Sequence, residues 1–66
     1  MKNFDLIKMR ENAGLTQLEI ANRVGITERS YQRYEAGERT PNVYIGQLIA
    51  EVLDSTLDTI FPSNLR

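Results

Sequence analysis

Three residue types are missing from this 66-residue chain: cysteine, histidine and tryptophan. Without cysteine there can be no disulfide and no thiolate metal site. Without histidine the commonest metal ligand and the usual general base near neutral pH are gone. A metal would have to be held by carboxylates alone, and the Asp and Glu positions show no ligand-like clustering, so neither metal nor cofactor is expected. No enzyme activity is expected either. Ser30, Ser55 and Ser63 have no base to activate them, and there is no glycine-rich phosphate loop. Long apolar runs are lacking as well. The stretch MKNFDLIKMREN has no uninterrupted apolar region, and nothing approaches the roughly 18 apolar residues of a membrane span. A cytoplasmic protein with no membrane association is the expectation.

A positive charge excess is also absent. Eight Lys and Arg stand against nine Asp and Glu, a net charge of −1, whereas domains that hold nucleic acid are usually basic. The charge is unevenly placed, however. Lys2, Lys8, Arg10, Arg23, Arg29, Arg33 and Arg39 all precede Pro41, while Glu51, Asp54 and Asp58 follow it with only Arg66 to offset them. The acid excess therefore belongs to the C-terminal third.

Strand signals are poor, but helix punctuation recurs at short intervals. Asn3 can cap a first helix running to about Ala13, with Leu6, Met9 and Ala13 on one face and Gly14 as its stop. Thr16-Gln-Leu-Glu19 reads as a capping box, in which the threonine serves one free N–H and the glutamate reaches back to another. That second helix extends to Val24 and stops at Gly25. Thr27 caps a third helix, Glu28 to Ala36, which stops at Gly37. Pro41 disfavours helix at Thr40, so ERTPN is a loop. Asn42 caps a fourth helix, Val43 to Leu53, and Thr56 a last short one, Leu57 to Phe61, ended by Pro62. The expected fold is all-α and compact: one five-helix domain over residues 1–66, with a short C-terminal tail at 62–66. A chain of this size buries only about 60% of its unfolded surface.

Counting Gln17 as one, Ile20, Ala21, Val24, Gly25, Ile26, Tyr31 and Tyr34 fall at positions 4, 5, 8, 9, 10, 15 and 18. Each has a physical reason to be there. Ala21 must be small because two helices cross above it, Gly25 makes the turn and Ile26 plugs the corner. Ile20, Val24, Tyr31 and Tyr34 face inward, leaving Glu28, Arg29, Gln32 and Arg33 on the outward face of the third helix. Residues 17–36 thus read as a helix-turn-helix, whose second helix enters a DNA major groove.

On these residues, and on LIKMRENAGLTQLEIANRVGIT, RYEAGERTPN, LIAEVL and LDTIF, the chain resembles the Cro/CI-type (XRE family) helix-turn-helix regulators of phages and bacteria. The resemblance covers nearly the whole chain and implies a lambda-repressor-like fold. It also implies a transcriptional regulator, most often a repressor, that reads a two-fold symmetric operator on double-stranded DNA as a homodimer. In such a protein Glu28, Arg29, Ser30, Gln32 and Arg33 would face bases, with Arg29 and Arg33 the best guanine readers. Thr16, Gln17, Thr27, Arg39, Thr40 and Asn42 would meet phosphates, and Arg10 and Glu35 would form a structural ion pair between the first and third helices. No small-molecule effector is expected.

The fourth helix is more apolar than burial alone needs. Gly46, Ile49, Ala50 and Leu53 form an inward stripe, and Ile45, Leu48 and Val52 widen it. With Phe61, those last three make a candidate dimer interface. The alternative function that this face and the acidic balance support is a protein-binding module, an antitoxin-like or anti-repressor partner.

Overall fold

The computed structural model describes residues 1–62 of the chain. Five helices follow one another: α1 (Phe4–Asn12), α2 (Gln17–Val24), α3 (Glu28–Ala36), α4 (Val43–Val52) and α5 (Leu57–Ile60). Each begins at the side chain that sequence reasoning assigns as its cap. Asn3 Oδ1 accepts from the Leu6 N–H, Thr16 Oγ1 from Glu19, Thr27 Oγ1 from Ser30, Asn42 Oδ1 from Ile45 and Thr56 Oγ1 from Thr59. These bonds satisfy N–H groups that no helix can satisfy from within. The capping box is closed on both sides, with the Thr16 N–H donating to Glu19 Oε1 at 2.8 Å.

α2 and α3 end at Val24 and Ala36 as read from the sequence, whereas the ends of α1, α4 and α5 differ from that reading by a residue. Ala13 is the cap that follows α1 and is exposed, so it lies beyond the inward stripe set by the buried Leu6 and the half-buried Met9. Leu53 caps α4 but stays buried, and the chain then turns through Asp54 at φ 52°, a left-handed position that aspartate tolerates. Phe61 follows the end of α5 rather than closing it. Residues 63–66, which include Ser63 and most of the expected tail, lie outside the described residues.

The core is drawn from all five helices: Leu6, Ile20, Ala21, Val24, Tyr31, Ile49, Ala50, Leu53, Ile60 and Phe61. α2 packs against α3 and α4, while α1 packs against α3 and α5 and α4 completes the circuit with α5. Gly25 closes the α2–α3 turn at φ 85°, a conformation that costs other residues about 1–2 kcal/mol. Ala21 is fully buried, and its carbonyl accepts from both Gly25 and Ile26 in that turn.

Asn3 does more than cap. Its backbone N–H donates to the Glu35 carbonyl at 2.9 Å, and its side-chain NH₂ donates to the Ile60 carbonyl at 2.5 Å. One residue thereby ties the start of α1 to the ends of α3 and α5.

Candidate nucleic-acid interface

α2 and α3 are joined by the Gly25 turn and braced from beneath by Arg10. Its Nε donates to Glu35 Oε2 at 2.5 Å, and a second nitrogen donates to Glu35 Oε1 at 3.4 Å. A third bond, 2.8 Å to the Leu15 carbonyl, holds the α1–α2 connection. The pair expected between the first and third helices is therefore formed, and Glu35 is buried with it, 4% exposed. Burial works against its charge. The bonds from Arg10 and Gln17, with the Tyr31 hydroxyl beside them, outweigh burial and hold the carboxyl below its ordinary range.

The Tyr31 hydroxyl is buried and has no hydrogen-bond partner of acceptable geometry among the described residues, though it faces the same carboxylate. Burial first, and then that negative neighbour, push its phenol far above 10.0, so it stays neutral at any physiological pH. Tyr34 is half-buried and meets Phe61 edge-on, with ring centroids 6.5 Å apart and planes at 89°. Phe61 is 2% exposed. It belongs to the core and leaves the candidate dimer interface, because the turn after α5 folds its ring inward onto Tyr34. Ile45, Leu48 and Val52 remain half-buried along α4.

The outward face of α3 is where the spacing puts it. Glu28, Arg29 and Gln32 are exposed, and Ser30 and Arg33 are half-exposed. Arg29, Gln32, Arg33, Ala36 and Glu38 line one shallow cleft of about 310 Å³. The two arginines form no ion pair among the described residues, so their guanidinium groups keep their donors. Glu38 on the rim lowers the local positive potential.

The residues expected at phosphates divide by how committed they already are. Thr16 accepts from Glu19 and keeps its hydroxyl proton. Thr27 donates that proton to Ser30 Oγ at 3.0 Å, which passes the donor role outward to Ser30. Gln17 is half-buried: its NH₂ donates to Glu35 Oε1 at 2.9 Å, and its carbonyl faces the Gln32 NH₂ at 3.4 Å. Arg39 and Thr40 are exposed in the loop after α3, and Asn42 keeps its NH₂ while its oxygen caps α4.

Lys2 was not expected here. It lines a cleft of about 490 Å³ that also contains Arg39, Thr40 and Tyr34, so an N-terminal cation joins the loop that carries Arg39. No local pattern announces it. Only the docking of residues 1–3 against the end of α3 brings it there.

A pair of helices set around a left-handed glycine, with a polar outward face on the second, defines a helix-turn-helix protein. A family model described as helix-turn-helix matches residues 6–60. A curated relative from Bacillus subtilis (strain 168), the uncharacterized HTH-type transcriptional regulator YqaE, is 39% identical over 54 residues. Those residues cover 82% of this chain, which spans about half (47%) of that relative's length. The chain belongs to the helix-turn-helix family, of the Cro/CI (XRE) type.

No group of three or more His, Cys, Asp or Glu among the described residues could hold a metal ion. No helix among them is long and apolar enough to cross a membrane.

Proposed function

We propose that this chain binds double-stranded DNA sequence-specifically as a repressor, placing α3 in the major groove of a two-fold symmetric operator as a homodimer. The observation that carries the reading is the outward face of exposed Arg29 and Gln32 and half-exposed Arg33, on a helix whose other side is locked into the core by Tyr31 and Glu35. A rigid scaffold presenting free guanidinium groups suits bidentate recognition of guanine. Arg39, with Thr16, Thr40 and Asn42, supplies phosphate contacts at either end of that face. Ser30 acts beside the arginines, and Thr27 through its place at the α3 N-terminus. Glu28 accepts from a cytosine amino group.

The near-neutral charge fits this reading if recognition depends on doubled contacts rather than on a broad basic field. A second copy, docked through Ile45, Leu48 and Val52, would provide them and set the half-site spacing.

Selection from a random duplex pool tests this function. Recovery of a palindromic site, with its guanine preferences lost in Arg29→Ala or Arg33→Ala, supports it. No enrichment even at low salt contradicts it and points to the apolar side of α4 as a protein-binding surface instead.

A further inference from the structure

The buried ion pair is linked to the outer face of α3 by a chain of side chains whose polarity is fixed at one end. Arg10 is only a donor and the Glu35 carboxylate only an acceptor. Gln17 must therefore turn its NH₂ toward Glu35 Oε1, where it lies at 2.9 Å. That choice points its carbonyl the other way, toward the Gln32 NH₂ at 3.4 Å. Gln32, exposed on α3, is left with its own carbonyl oxygen and one N–H. An amide normally presents either end to a ligand at equal cost. Here the core decides which end.

We infer that Gln17 is a specificity-determining positioning residue: held by the buried Glu35 carboxylate, it biases the orientation of the Gln32 amide and so the base edge that Gln32 reads. This rests on the DNA-binding function proposed above. The remaining acceptor and donor on Gln32 match the amino group and N7 of adenine, the paired pattern that amide side chains recognise in the major groove. Gln17 then has a second role beside any phosphate contact. A phosphate contact strengthens binding to every sequence equally, whereas an orienting contact changes which base is preferred.

The ordering is one-directional. Glu35 is buried and engaged by Arg10, so it does not adjust to Gln17. The Gln17 amide follows Glu35, and the exposed Gln32 amide follows Gln17. The 3.4 Å link to Gln32 is longer than the 2.9 Å bond that holds Gln17 to Glu35, so it biases Gln32 without locking it.

The test has two arms, and the variant is Gln17→Met, which keeps length and apolar contact and removes both hydrogen-bonding ends. The first arm uses the free protein. Side-chain amide NMR signals of Gln32 should shift in Gln17→Met, and those of Gln17 should shift in Glu35→Gln, with backbone signals of α4 and α5 unchanged. Gln32 signals that do not move in Gln17→Met overturn the relay, whatever the protein binds. The second arm uses duplex selection. The adenine preference that disappears in Gln32→Ala should also fall at least several-fold in Gln17→Met, while the positions lost in Arg29→Ala persist. Uniform weakening with every base preference retained overturns the specificity role and leaves Gln17 as a phosphate contact alone. If no duplex is enriched while the amide signals shift as expected, the DNA-binding function fails and takes the specificity role with it, but the relay stands.

Discussion

Arg10 and Glu35 meet at 2.5 Å between α1 and α3, with 14% and 5% of their side chains exposed. Around them converge the Leu15 carbonyl, the Gln17 amide and the neutral Tyr31 hydroxyl. The pair therefore holds three helices at the angle that sends the face of α3 outward. Such a pair fixes geometry more than it adds stability, because both charges lose their hydration.

That balance is measurable. Arg10→Met strands a buried carboxylate and should cost about 3–5 kcal/mol in urea unfolding. The double variant Arg10→Met/Glu35→Leu should recover most of the loss, because no charge is left buried. A double variant as unstable as the single one would mean the pair itself supplies the stability.

The same carboxylate sets the response to acid. Its folded value lies below the ordinary 4.5 because its hydrogen bonds outweigh burial. A carboxyl depressed in the folded state adds stability that is complete above the unfolded value and is lost as pH falls through the folded one. Stability should thus hold from neutral pH to about 5 and decline below about 4.5. Glu35→Gln should flatten that decline. Glu19, also lowered, chiefly by the bond its carboxylate accepts from the Thr16 backbone N–H, is the competing source. An acid limb unchanged in Glu35→Gln but lost in Glu19→Gln would move the effect to the capping box.

Two glycines with similar backbones should behave differently. At Gly25 a Cβ meets open space, so Gly25→Ala carries only the left-handed penalty, about 1–2 kcal/mol. At Gly37, φ 75°, a Cβ would collide with the Met1 carbonyl. Gly37→Ala should cost more than Gly25→Ala and weaken amide-exchange protection at Asn3, whose N–H bonds the Glu35 carbonyl. Equal costs with Asn3 still protected would show that the N-terminal segment does not rest on α3.

Phosphate contacts leave their mark on salt dependence. Arg39 is the one charged member of the phosphate set read from the sequence, and Lys2 shares its cleft. Arg39→Ala should weaken binding to all duplexes alike and flatten the slope of log affinity against log salt by about 1 per protomer. A loss confined to one sequence would make Arg39 a base reader.

The parts of this structure legible in the sequence are those encoded within a few residues. Asn3, Thr16, Thr27, Asn42 and Thr56 cap their helices through bonds to the third residue on, which is a local pattern. The outward set on α3 follows from 3.6-residue periodicity once Tyr31 and Tyr34 are placed inward, and the structure buries the first and half-buries the second. What stayed hidden depends on distant segments meeting. The second and third bonds of Asn3, the hold of Glu35 on Gln17 and the place of Lys2 beside Arg39 have no local signature. Phe61 and Phe4 show the same limit. Both are aromatic residues near a helix end, yet one is 2% exposed and the other 68%.

Sequence-specific recognition through α3 is tested most directly by one comparison at about 0.15 M salt: equilibrium affinity for the selected duplex against a scrambled duplex of equal length and composition. A ratio of at least about 10³ is expected, with Arg29→Ala narrowing it by about 10- to 100-fold. Equal affinity for the two duplexes would contradict sequence reading by this helix.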